Sequence, residues 1–189
     1  MLDAALEVLL AHGYSGTTMA AIALAAGVTK PVVYECFDNK DDVLSNLLNR
    51  EEQRLLDSVE KALPTELDFT DLPALLEASY SAFFTAALET PDSWRLVFES
   101  QRGIPDVLAK RIRRKRSAIV EQIQLMAEQF LTSRESAHPQ RESTAIAEVL
   151  VSVAESGTRV LLTANTKDDP WTASSLATFV TEGLLKSWI

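Results

Sequence analysis

"TTMAAIALAAGVTKPVVYECFDNK", residues 17–40, holds two short helical patterns with only Ala26-Gly27-Val28 between them. Thr18 suits the N-cap of a helix over about 19–25, with Ile22 and Ala25 pointing inward and Met19 near the entry. Gly27 breaks that helix. Thr29 can cap the next, and Pro31 lies in its first turn, where a missing N–H does no harm. The second helix ends near Cys36-Phe37. Asn39 then opens a longer helix, with Asp42 placed to complete a capping box. Its apolar stripe of Val43, Leu44, Leu47, Leu48, Leu55 and Val59 carries it to about Leu63.

Two short helices joined by a tight glycine turn form a helix-turn-helix. In that arrangement the first helix braces on the DNA backbone and the second enters the major groove. A groove-reading helix can be short, and its inner side must be small and apolar, as Val28, Val32 or Val33, and Phe37 are. Its outer side needs phosphate and base contacts. Lys30 supplies a cation, Thr18 and Thr29 supply hydroxyls, and Tyr34, one turn beyond Lys30, supplies a phenol that can donate to a phosphate. Residues 17–37 as a plain hairpin within a bundle core is the alternative.

Working outward, residues 2–11 read as a helix with Leu2, Ala5, Leu6, Leu9 and Leu10 on one face, ended by Gly13. The stretch from Leu2 to Leu48 resembles the DNA-binding domain of the tetracycline-repressor (TetR) family of bacterial regulators. The resemblance rests on Gly13-Tyr14, Thr17-Thr18, Ile22-Ala23, Ala26-Gly27-Val28-Thr29, Tyr34, Phe37 and Lys40. It implies an all-α homodimer, each subunit with an N-terminal three-helix reading head and a C-terminal helical bundle for effector binding and dimerisation. It also implies Thr18, Tyr34 and Lys40 at the DNA backbone, Thr29, Lys30, Pro31 and Val32 at base edges, and Thr17 among the DNA-binding residues. Members of that family usually carry a short basic arm ahead of the first helix, whereas this sequence begins almost on that helix. Glu35 and Cys36 depart from the pattern. Glu35 either accepts from a cytosine amino group or points aside, and Cys36 is expected to pack.

The chain has 189 residues, 47% of them apolar, and a net charge of −9. That balance argues against a general nucleic-acid coat, though not against a small reading surface. The first 50 residues set Lys30, Lys40 and Arg50 against Asp3, Glu7, Glu35, Asp38, Asp41 and Asp42, an awkward balance for a DNA-binding head. A single cysteine permits no internal disulfide and fits a reducing cytosol, so a cytoplasmic location is expected. No apolar run approaches a membrane span, and no secretory signal is visible. With two histidines, no His-Glu-x-x-His and no glycine-rich phosphate loop, the chain does not read as an enzyme. No metal or cofactor is expected.

Residues 1–45 are thus expected to form the reading head, with helix 40–63 leading into an effector and dimerisation domain over 46–189. Pro64 and Thr65–Asp71 read as a linker. Helices are expected over about 72–89, 92–101, 106–133, 140–164 and 171–187, with an interruption at Gly103-Ile104-Pro105 and a turn at Asn165–Pro170. Tyr80, Phe83, Phe84, Trp94, Phe98, Ile123 and Met126 could line a cavity for a small apolar or aromatic effector, or could simply be bundle core. Glu77, Glu99, Glu121 or Gln122 could add polar specificity. The basic block Lys110–Arg116 reads as a DNA or anionic-partner surface or as a solvated face paired with acids, the second being favoured. Val149, Val153, Gly157, Val160 and Leu161 recur at helical spacing, as do Leu176, Phe179, Val180, Gly183 and Leu184. They suit a four-helix dimer interface, with intrachain burial as the alternative.

Overall fold

The computed structural model describes residues 1–62, 70–99, 106–164, 168 and 170–188. Expectations for the linker at 64–69, for Gly103-Ile104-Pro105, for most of the turn at 165–169, and for the side chains of Glu99 and Trp188 lie outside the described residues. The described elements are helical: α1 Leu2–Gly16, α2 Met19–Ala25, α3 Lys30–Cys36, α4 Lys40–Ala62, α5 Leu72–Glu89, α6 Pro91–Trp94, α7 Asp106–Ser133, α8 Pro139–Arg159 and α9 Ala173–Trp188. Wider π-type turns extend α6 over Arg95–Glu99 and α8 over Val160–Ala164. Among the described residues no single helix is long and apolar enough to cross a membrane.

Packing divides the chain into two compact units: Met1–Lys61 with Glu89–Lys110, and Ala62–Leu88 with Arg111–Ile189. The boundary expected at 45/46 therefore falls inside α4, most of which packs with the reading head.

The first unit is built on local rules. Gly13 adopts φ 65, ψ −179, a region open essentially to glycine alone. This bends the chain within α1 rather than ending it, so helical turns resume through Gly16. Thr17 locks the bend, its hydroxyl donating to the Gly13 carbonyl at 2.8 Å. Thr18 caps α2 by accepting from the Ala21 N–H at 3.0 Å. After α2, Gly27 turns to φ 66. Val28 N–H then bonds the Ala23 carbonyl and Gly27 N–H bonds the Leu24 carbonyl. This pair of bonds is a Schellman closure, and it requires the left-handed residue that glycine provides. Asn39 accepts from Asp42 N–H at 3.0 Å, and Asp42 reaches back to the Asp38 N–H at 3.1 Å. The cap bond is the usual one, while the return bond of the capping box lands one residue before the N-cap.

The core of this unit takes Ala4, Ala5, Leu6, Val8 and Leu9 from α1, Met19, Ile22 and Ala23 from α2, Val33 from α3, and Val43, Leu44, Leu47, Leu48 and Leu55 from α4. Ala25 is exposed, contrary to expectation, because Ala23 fills the inner position beside Ile22. Leu24 is 84% exposed on the opposite side of α2.

The second unit centres on Tyr80, Phe84, Leu161, Leu176 and Ala177. Tyr80 and Phe84 stack with centroids 5.9 Å apart, and Phe83 meets Phe84 edge-on at 6.3 Å. Gly157 lies against this group: a Cβ there would sit 2.6 Å from Phe84 Cζ. A smaller cluster joins Val120, Ala147 and Val151, with Ile123 against it.

Candidate nucleic-acid interface

The capped, glycine-closed joint turns the chain by 106° between α2 and α3, within the range of helix-turn-helix pairs. Val33, fully buried, anchors α3. Val32 is half-buried, while Val28 is exposed and adds little to the anchor. That leaves Thr29, Lys30, Pro31, Tyr34, Glu35 and Cys36 exposed along α3. The Lys30 ammonium lies 5.7 Å from the Tyr34 ring centroid, so the two share the outer face as their spacing implies. Thr29 holds the N-cap position without a side-chain cap bond, which leaves its hydroxyl free of that duty. Cys36 is exposed rather than packed.

Two of the expected DNA-binding residues are placed differently. Thr17 is fully buried with its hydroxyl committed to Gly13; its side chain fixes the bend and does not face outward. Lys40 is half-buried, its ammonium 3.0 Å from the Tyr14 carbonyl and 3.7 Å above the Tyr14 ring. The Tyr14 hydroxyl donates to Asp41 at 2.7 Å, and that bond, ahead of burial and the carboxylate charge, raises the phenol's pKa.

The unfavourable charge of the head is partly absorbed. Asp41 is held by Tyr14, Asp42 is bonded by Asp38 N–H and the Asn46 amide, and Asp3 pairs with Arg50 at 2.8 Å. Arg50 also reaches Glu51, which is 1% exposed and accepts 2.6 Å bonds from Arg50 Nε and the Ser93 hydroxyl. This buried cluster is not among the sequence-based expectations. Its signal is Glu51 standing at the apolar register of α4, four residues from both Leu47 and Leu55. The cluster borders a cleft of about 810 Å³ whose lining mixes the charged Asp3, Glu7, Glu51, Arg54, Asp92 and Arg95 with the apolar Leu6, Leu10, Ala11 and Pro91.

The expected effector residues fall in both units. Trp94 is buried and stacks on Phe98 at 3.9 Å in the first unit, whereas Tyr80, Phe83, Phe84, Ile123 and Met126 belong to the second. Met126 is half exposed because its side of α7 is open. The Tyr80 hydroxyl donates to the Leu150 carbonyl at 3.1 Å, and burial raises its pKa strongly. Of the expected polar groups, Glu77 is taken by the Thr178 hydroxyl at 2.7 Å, and Glu121 is exposed. Gln122 is exposed as well. Two hydroxyls absent from those expectations, Thr158 and Thr181, are buried with no hydrogen-bond partner among the described residues.

The expected dimer residues also divide. Gly157, Leu161 and Leu176 are buried within the subunit, because α5 and its Phe84 cover them. Val153, Val180 and Leu184 pack partly on the same core. Val149, Val160 and Phe179 remain 40%, 37% and 62% exposed, and a Cβ on Gly183 would meet nothing. In the basic block, Ile112 is buried and Arg116 bonds Glu155 at 2.8 Å and Glu148 at 3.1 Å, whereas Arg113 and Arg114 are exposed.

A right-angled, glycine-closed helix pair presenting a cation and a phenol defines a helix-turn-helix DNA-binding regulator. Residues 1–47 match the family described as bacterial regulatory proteins, tetR family, and residues 71–182 match the tetracyclin repressor-like C-terminal domain. The chain belongs to the TetR family of transcriptional regulators. It is 37% identical over 100 residues to the HTH-type transcriptional activator FasR of Mycolicibacterium smegmatis, a match spanning 53% of this chain and 44% of that protein. It is 39% identical over 94 residues to the HTH-type transcriptional regulator SrpR of Pseudomonas putida, spanning 49% of this chain and 38% of that one. The matches thus span less than half the length of these two relatives.

The fold as a whole resembles a TetR-like regulator from Rhodococcus sp. RHA1, with TM-score 0.73 and 22% identity over 98% of this chain and 93% of that one. It also resembles the fatty acid degradation regulator FadR of Bacillus halodurans, with TM-score 0.66 and 21% identity over 97% and 92%.

Proposed function

We propose that this regulator is a ligand-responsive repressor that binds a palindromic operator as a homodimer. The outward face of α3, with Lys30, Pro31 and Tyr34 exposed around the buried anchor Val33, carries this reading. Thr29, Lys30, Pro31 and Val32 read base edges, while Thr18, Tyr34 and Lys40 hold phosphates. The Thr18 hydroxyl accepts from Ala21 N–H but keeps its own proton to donate. Val149, Val160 and Phe179, with the open Gly183, supply the apolar surface on which a second copy pairs. Twofold pairing would set two α3 helices about 34 Å apart, one DNA turn.

The effector is a small, mostly apolar molecule bound in the second unit. The orphaned hydroxyls of Thr158 and Thr181 support polar groups on it, since buried hydroxyls seldom stay unbonded. A structural neighbour that is a fatty acid degradation regulator makes acyl compounds the first class to try. An effector acts by binding one spacing of the reading heads better than another.

Selection from random duplex DNA tests the reading. A symmetric enriched sequence is expected, with Tyr34→Phe weakening all duplexes alike and Lys30→Ala altering sequence preference. Sedimentation of Phe179→Glu should show dissociation into monomers. Enrichment of an asymmetric site by a monomer would overturn the dimeric part.

A further inference from the structure

We infer that Tyr14 is a positioning residue for the DNA backbone contact made by Lys40. This rests on the proposal that Lys40 meets a phosphate.

Tyr14 touches two consecutive residues at the start of α4 with three different groups. Its carbonyl accepts from Lys40 Nζ at 3.0 Å, its ring face lies 3.7 Å from the same ammonium, and its hydroxyl donates to Asp41 Oδ1 at 2.7 Å. The tyrosine itself is fixed by the bend before it. Gly13 supplies the glycine-only conformation, and the Thr17 N–H bonds both the Gly13 and Tyr14 carbonyls at 3.2 Å. A carbonyl oxygen has two lone pairs, so that of Tyr14 can hold the turn and the ammonium together.

The consequence is selective. A free lysine side chain carries the rotamer entropy of four rotatable bonds, which must be lost on meeting a phosphate. Here carbonyl and ring limit that freedom in advance, and preorganisation of this kind strengthens binding. An ammonium has three donors, so one remains for a phosphate oxygen. The Tyr14 hydroxyl, meanwhile, occupies the neighbouring Asp41 carboxylate, which would otherwise face incoming phosphates as a bare anion. One residue, through its main chain and its side chain, thus orders the cation and restrains the adjacent anion.

The full chain and labelled duplexes, one carrying the selected sequence and one random, test this by anisotropy across a salt series. Tyr14→Leu and Lys40→Ala should each weaken both duplexes by about two- to five-fold. Each should also make the log–log salt dependence shallower by about 0.9 for every phosphate no longer neutralised. With Asp41→Asn present throughout to remove the second effect, the double variant Tyr14→Leu, Lys40→Ala should be no weaker than Lys40→Ala. Tyr14→Phe, which keeps ring and carbonyl, should bind more weakly than the parent and recover when Asp41→Asn is added.

Parental affinity and slope in Tyr14→Leu, with Lys40→Ala impaired, would overturn the positioning role. So would losses that multiply in the double variant when Asp41→Asn is present throughout. Parental behaviour of Lys40→Ala would instead remove the Lys40 phosphate contact, and this inference with it, leaving DNA reading by α3 intact. If Tyr14→Leu fails to fold by circular dichroism, the Tyr14→Phe pair decides, and absence of recovery by Asp41→Asn overturns the proposal.

Discussion

Replacing Gly157 by alanine separates two opposing effects of known size. Glycine inside a helix costs about 1 kcal/mol relative to alanine, and burying one further methyl contributes about 0.8 kcal/mol. Both favour the variant. Against them, the new Cβ would stand 2.6 Å from Phe84 Cζ and 2.8 Å from Cε1, with Leu176 Cδ2 at 3.4 Å. The ring must therefore move by a large part of an ångström. It is fully buried, stacked on Tyr80 and met edge-on by Phe83, so it has nowhere to go without displacing both. Overpacking a tight core costs roughly 1–3 kcal/mol, and this crowding belongs at the upper end. The net expectation is a loss of about 1 kcal/mol, a fall in Tm of about 2–4 °C for a chain of this size.

Thermal unfolding followed by circular dichroism, at fixed protein concentration, measures it. Phe84→Leu shortens the side chain at the point of contact, so the double variant should be more stable than the two single losses predict, by at least about 0.5 kcal/mol. A higher Tm for Gly157→Ala, or strict additivity with Phe84→Leu, would refute the reasoning.

The two bent glycines should respond differently to asparagine. Gly27→Asn, at a Schellman closure, should lose well under 1 kcal/mol in urea unfolding, whereas Gly13→Asn enters a glycine-only region and should lose about 1–3 kcal/mol, although neither site has a neighbour within 4 Å. Ser93→Ala deprives the buried Glu51 carboxylate of a 2.6 Å donor and should cost about 1.5–3 kcal/mol by the same assay. For Tyr80, burial raises the phenol's pKa above its ordinary 10.0. Its contribution is fully present below pH 10 and is lost as pH rises toward the folded value, so parental stability should fall on the alkaline side. That fall should be shallower in Tyr80→Phe, read from unfolding midpoints across an alkaline series.

The reading head is legible in the sequence because its signals are local. Caps, the glycine stop at Gly27 and Pro31 in a first turn act within a few residues, and α2, α3 and the start of α4 fall where those residues put them. Thr17 misleads because its spacing to the groove face is right while its hydroxyl turns back to Gly13. Gly13 looks like a helix stop because sequence does not distinguish a bend that resumes from one that ends. The aromatics look like one set because periodicity gives each helix a face without saying which neighbour the face meets. Trp94 and Tyr80 thus fall into different units. Gly157 shows the same gap: a mid-helix glycine signals a close approach, and the approaching group is Phe84 of the same chain.

The distribution of indoles offers a practical return. Trp94 sits almost wholly inside the first unit against Phe98, whereas Trp171 is 38% exposed and, with Trp188, belongs to the second. Intrinsic emission should accordingly contain a short-wavelength, quencher-resistant component from Trp94 and a redder, quenchable one from Trp171. Trp171→Phe with Trp188→Phe would leave a single lamp at Trp94, through which events beside the DNA-reading helices could be watched without attaching a dye.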